Sequence, residues 1–103
     1  MGRERFRQRI EIMRRVEDGA YTLHAQTSCE VRDEKWSETL QDESGRIEDV
    51  KIFAMRARRI LSDDLIRWQG EIYRVEYVDG YDNRAREIRV RAMRSRSRYS
   101  VEA

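Results

Sequence analysis

Apolar and polar residues alternate one by one along much of this chain, and a period of two predicts strands rather than helices. In the first run, Phe6, Gln8, Ile10 and Ile12 fall on one face, and Arg7, Arg9 and Glu11 on the other. Glu17-Asp18-Gly19 then breaks the pattern. The second run is cleaner. Tyr21, Leu23, Ala25, Thr27, Cys29 and Val31 share one face; Thr22, His24, Gln26, Ser28, Glu30 and Arg32 share the other. A helix would mix these two sets, whereas a strand separates them.

Between Asp33 and Glu48 the alternation lapses. Trp36 and Leu40 are four apart, the spacing of one helical turn, and Ser44-Gly45 interrupts again. This reads as a long loop carrying one short helix. Strand character resumes over Val50 to Arg56, with Val50, Ile52 and Ala54 on one face and Phe53 and Met55 on the other. The stretch from Ile47 to Leu61 also holds good helix formers, so a helix competes there; the strand is the preferred reading. Ser62-Asp63-Asp64 reads as a turn. Leu65–Trp68 and Glu71–Val78 flank Gln69-Gly70, the signature of a hairpin. Asp79-Gly80 opens a further turn that closes near Asn83. From Arg86 to Met93 the chain alternates again, with Ile88, Val90 and Ala92 inward and Arg89 and Arg91 outward. The expected fold is mostly β: a small six-stranded, barrel-like domain with one long inter-strand loop, since a barrel hides its strand edges.

Composition narrows this further. At 103 residues the chain is one domain with a thin core. Residues 1–5 read as a flexible amino-terminal arm, 6–94 as the barrel and 95–103 as a flexible tail. That tail's Arg/Ser alternation (Arg94, Ser95, Arg96, Ser97, Arg98) has little to bury. Charged residues make up 41% of the chain, yet the net charge is only +2, which argues against a general nucleic-acid binder. Nearly all the positive charge is arginine, with Lys35 and Lys51 the only lysines. Arginine's planar fork suits carboxylate and phosphate partners. The basic start is followed by no apolar stretch, so no secretory leader is expected, and no run is long enough to span a membrane.

Catalytic readings fail for lack of parts. His24 is the only histidine and Cys29 the only cysteine. Parity puts them on opposite faces of one strand, which opposes both a metal site and a Cys–His nucleophile pair. No phosphate-cradling glycine motif occurs. No enzyme activity, metal or cofactor is expected. Trp68, Tyr73, Tyr77 and Tyr81 could form a base-stacking platform, but filling a thin core is the simpler role. The strongest charge feature is the arginine series Arg86, Arg89, Arg91, Arg94, Arg96 and Arg98, a candidate partner-binding arm.

The order of segments resembles the head–tail joining (head-closure) family of tailed bacteriophages. The matching stretches are "RFRQRIEI", "TLHAQTSCEVR", "VKIFAMRARRI" and "DDLIRWQGEIYRVEYVDGYDNRAREIRVRA", and together they cover Arg5 to Arg94. The hairpin Asp64 to Val78, similar to "D.I.W.G..Y.I..V", is the most specific part. Ser28-Cys29 stands where members often carry Trp-Ala, and the loop Glu17 to Ala20 is shorter than is common. The resemblance implies a β-barrel subunit that forms a ring beneath the portal and adaptor of a filled head and meets the tail terminator. Its place would be the virion, after synthesis in the cytoplasm of a bacterial host, with DNA passing through without sequence recognition and no membrane partner. In some relatives the loop after the second strand faces the channel. Here that implies Asp33, Glu34, Lys35, Trp36, Glu38, Asp42, Glu43, Arg46 and Glu48 as channel-loop residues. Their net acidity would repel phosphate and favour sliding over gripping. An oligonucleotide-binding β-barrel module is the alternative.

Overall fold

The computed structural model describes residues 6–17, 19–33, 49–80 and 86–95, with the backbone of 101–102. Among them there is no helix. The strands are β1 (Gln8–Arg15), β2 (Tyr21–Asp33), β3 (Val50–Arg56), β4 (Leu65–Trp68), β5 (Glu71–Asp79), β6 (Glu87–Arg94) and the short β7 (Val101–Glu102). The sheet runs β1-β4-β5-β6-β3-β2 and closes through β1–β2, so six antiparallel strands form a barrel. β7 lies outside this ring, parallel to β2 at Tyr21 and Thr22. It belongs to the segment that the sequence assigns to the tail. The loop helix expected near Trp36 and Leu40 lies outside the described residues.

The period-two readings locate the core. Ile10 and Ile12 from β1, Cys29 from β2, Phe53 and Met55 from β3, and Ile66 from β4 point inward. Tyr73 and Val75 from β5 join them, with Ile88, Val90 and Ala92 from β6. Phe53 is the hub. Its ring meets Tyr73 edge-on at 5.4 Å between centroids and Trp68 at 6.2 Å, the T-shaped geometry favoured by opposed ring quadrupoles. The strand reading of Val50–Arg56 holds and the competing helix does not form. The hairpin is also as expected. Gln69 and Gly70 both have positive φ, 50° and 78°, the primed turn whose twist matches its flanking strands.

Two details depart from simple alternation. Register slips between Ile12 and Met13, where β2 bulges: Ala25 pairs with Ile12 and Leu23 with Met13, leaving His24 as the extra residue. Ile12 and Met13 are both buried, whereas strict alternation on a half-exposed strand buries one of them. The extra residue puts Leu23 on the face of Met13 rather than that of Ile12 and Cys29. Leu23, placed by parity with Cys29 on the apolar face, is instead 42% exposed there.

The β3–β4 connection crosses one end of the barrel and turns Ile60 into the core. Asp64 anchors it. Read from sequence as a turn residue, Asp64 does accept the Leu61 amide at 2.9 Å, and its own amide reaches Leu61 O. It is also completely buried, and Arg14 of β1 grips both its oxygens: Nε to Oδ1 at 3.0 Å and Nη2 to Oδ2 at 2.8 Å. Arg14 Nη2 further donates to Arg59 O at 3.2 Å. A fork-on-fork pair of this kind fixes geometry as well as charge.

Breaking one side of a buried pair strands the other charge. Arg14→Met is therefore expected to cost about 3–5 kcal/mol in urea unfolding, and Arg14→Met with Asp64→Leu should recover part of that loss. A single-variant cost under ~1 kcal/mol would show the pair to be incidental. Gly80 has φ +95°, and a Cβ there would lie 2.8 Å from the Glu87 carbonyl oxygen. Gly80→Ala should accordingly destabilise by about 1–3 kcal/mol, read as a lowered thermal midpoint; an unchanged midpoint would contradict it.

Candidate assembly surface

The inside of this barrel is filled by side chains, as expected for so few strands. It offers no passage, so DNA cannot thread one subunit. Any function must lie on the outer faces and the two ends.

Burial pushes the Cys29 thiol up to about 12, because the thiolate would sit among apolar side chains. His24 lies exposed on the opposite face, its Nδ1 3.5 Å from Arg14 Nη1. The parity argument against a Cys–His pair is thus met in three dimensions. Among the described residues no group of three His, Cys, Asp or Glu could hold a metal ion.

At one end of the barrel, Lys51 joins the two points where the long β2–β3 connection leaves and returns. Its ammonium binds Asp33, the last residue of β2, and lies 3.3 Å from Asp49. It also lies 6.0 Å from the centre of the Trp68 ring. Burial opposes the charge, but the hydrogen bonds to Asp33 and Asp49 outweigh it and raise the Lys51 pKa. The pair's support is therefore complete below the ordinary lysine value and is lost only as pH rises through the raised one. Of the channel-loop residues named from sequence, Asp33 alone is described, and it closes the base of the loop. Glu34, Lys35, Trp36, Glu38, Asp42, Glu43, Arg46 and Glu48 lie outside the described residues.

The arginine series does not share one face. Arg89 and Arg91 point outward from β6, with Arg91 stacked 5.9 Å from the centre of the exposed Tyr77 ring. Arg94 has the parity of Ile88, Val90 and Ala92, and at the Lys51 end it pairs with Glu71 at 3.1 Å. Arg86 precedes β6 at the opposite end, exposed. Arg96 and Arg98 lie outside the described residues. The aromatic residues of the base-stacking reading are also divided. Tyr73 is 2% exposed, and Trp68 is half-buried with its Nε1 donating to Gln8 Oε1 at 3.2 Å. Tyr77 remains on the surface; Tyr81 is not described.

On the outer face of β1 and β4, Arg67 Nε donates to Glu11 at 2.8 Å. That hydrogen bond holds the Glu11 carboxyl below its ordinary value of 4.5, so the pair's support is full above that pH and fades as pH falls through the lowered value. Sequence pattern does not single out this pair, because its members are 56 residues apart.

The folded chain should resist a thiol-specific reagent at about pH 8 and react fully once unfolded in urea, since only thiolate attacks. Rapid labelling of the native protein would show that Cys29 is not sealed in the core.

No family model matches the chain, and no curated protein matches it. Among solved structures, it is similar to a chain of the virion of a native gene transfer agent (GTA) particle. The TM-score is 0.60 at 16% sequence identity, over 90% of this chain and 98% of the other. At that identity the likeness is one of fold, and it spans essentially the whole of both chains.

Proposed function

We propose that this chain is a structural virion protein that joins a DNA-filled head to a tail. In this reading it assembles as a ring below the portal and adaptor, and it closes or lines the DNA channel. One observation carries the proposal: the end-to-end fold likeness to a virion chain. The ordered segments from Arg5 to Arg94 reach the same setting independently, through their resemblance to head–tail joining proteins.

The physical arrangement suits such a role. A filled barrel makes a stiff block, and a channel is then the centre of a ring of blocks. A closed ring needs two unlike surfaces on each subunit. The two barrel ends differ: one carries the Lys51–Asp33–Asp49 cluster, the other the exposed Arg56 and Arg86. The outward Arg89 and Arg91 offer charged contacts that set register more than affinity. The role asks for no catalysis and no cofactor. The alternative, an oligonucleotide-binding module, needs exposed aromatic rings, and of those named from sequence Tyr73 is buried and Trp68 half-buried.

The test is co-sedimentation of the purified chain with DNA-filled, tailless heads of its own phage or prophage, with free duplex and single-stranded DNA as controls. Stoichiometric pelleting with heads, and little DNA binding at physiological salt, is the expected result. Strong salt-sensitive DNA binding with no affinity for heads would overturn the proposal.

A further inference from the structure

β2 is longer than its neighbours can cover. Its β1-facing edge is paired from Tyr21 to Cys29. Its other edge is paired with β7 at Tyr21 and Thr22 and with β3 from Cys29 to Asp33. Between them, Leu23 to Ser28 carry no strand on that edge among the described residues. An uncovered edge of this length presents a row of backbone donors and acceptors that can accept an added strand.

Two adjoining hollows lie beside this edge, meeting at Phe6 and Arg56. One, of about 460 Å³, is lined by Phe6, Arg9, Thr27, Ser28 and Arg56, with Gln26 beside them. The other, of about 370 Å³, continues past Phe6 and Arg56 to Arg86 and Glu87. Three exposed guanidiniums thus surround a half-buried phenyl ring, against one carboxylate. Among the described residues Arg9 reaches only Ser28 Oγ, at 3.4 Å. No acidic side chain pairs with Arg56 or Arg86 among the described residues. This contrasts with Arg14, Arg67 and Arg94, which each hold a carboxylate.

We propose that this groove docks an extended, acidic polypeptide segment of a partner protein, added as a strand to β2 at Leu23–Ser28. Its carboxylates would meet Arg9, Arg56 and Arg86. The hydroxyls and backbone edge favour a peptide over a nucleic-acid backbone, because a peptide alone supplies matching N–H and C=O groups. Phe6 gives the segment an apolar anchor. The proposal rests on the groove itself and does not depend on the place of the chain in a virion.

The probe is a fluorescein-labelled peptide of alternating Thr and Glu, titrated into the full chain at low salt. A Thr–Gln peptide and a short duplex DNA serve as controls. The Thr–Glu peptide should bind, and Arg56→Glu with Arg86→Glu should weaken it by roughly tenfold or more, whereas Arg56→Lys with Arg86→Lys should retain most of the affinity. The amides of Leu23–Ser28 should exchange more slowly in the complex. The variants change exposed side chains only, and an unchanged thermal midpoint confirms that they fold. No peptide binding, binding indifferent to the charge reversals, or binding without amide protection on β2 would overturn the proposal. Equal binding of the Thr–Gln peptide would overturn the acidic requirement, and tighter binding of the duplex would assign the groove to phosphate.

Discussion

Burying a carboxylate is costly unless every lone pair finds a donor, and the whole β3–β4 connection is organised around meeting that demand for Asp64. Arg14 reaches across from β1 with a two-pronged grip, and the Leu61 amide supplies a further donor. The connection is thereby fixed against β1. That places Ile60 over the open end of the core, and it starts β4 at Leu65 opposite Met13. β4 pairs with β1 over only Glu11, Ile12 and Met13, a short seam for a barrel to close on. The ion pair sits directly beside this seam. A strand that begins one residue early would turn Ile66 outward and Arg67 inward, so the anchor also protects the register.

Closure has a functional consequence. With Phe53 meeting Tyr73 and Trp68 at its centre, the barrel is solid, and its chemistry is confined to surfaces. The surfaces are polarised. Lys51 holds Asp33 and Asp49 together at the end from which the acid-rich segment 34–48 departs. At the other end, among the described residues, no salt bridge joins Arg56 or Arg86 to an acid. A molecule with unlike ends makes head-to-tail contacts naturally, and repeated heterologous contacts give rings when the rotation closes.

Much of this fold was legible in the residue pattern. Ile88, Val90 and Ala92 face the core as their spacing requires, and Gln69-Gly70 makes the expected turn. Cys29 and His24 part to opposite faces as parity demands. Long-range events were not legible. Alternation cannot register a bulge, so the exposure of Leu23 escaped it, as did the burial of Met13 beside Ile12. Nor can local spacing connect Arg14 to Asp64, fifty residues on, in a chain where either residue has many equivalents. The arginines of the last strand looked like one stripe because their charge is the same. Strand geometry divides them, sending Arg89 and Arg91 outward and Arg94 to the rim with Glu71. The groove around Phe6, Arg56 and Arg86 draws on three distant segments and has no signature in any one of them.

The central claim is that this barrel is a building block at the junction of head and tail. Electron cryo-microscopy of purified particles from the phage or prophage encoding the chain addresses it most directly. The account predicts a ring of barrel-shaped density around the DNA channel at the neck, into which the closed six-stranded fold fits. Complete particles that lack the protein, or that carry it only on the outer shell, would contradict the account.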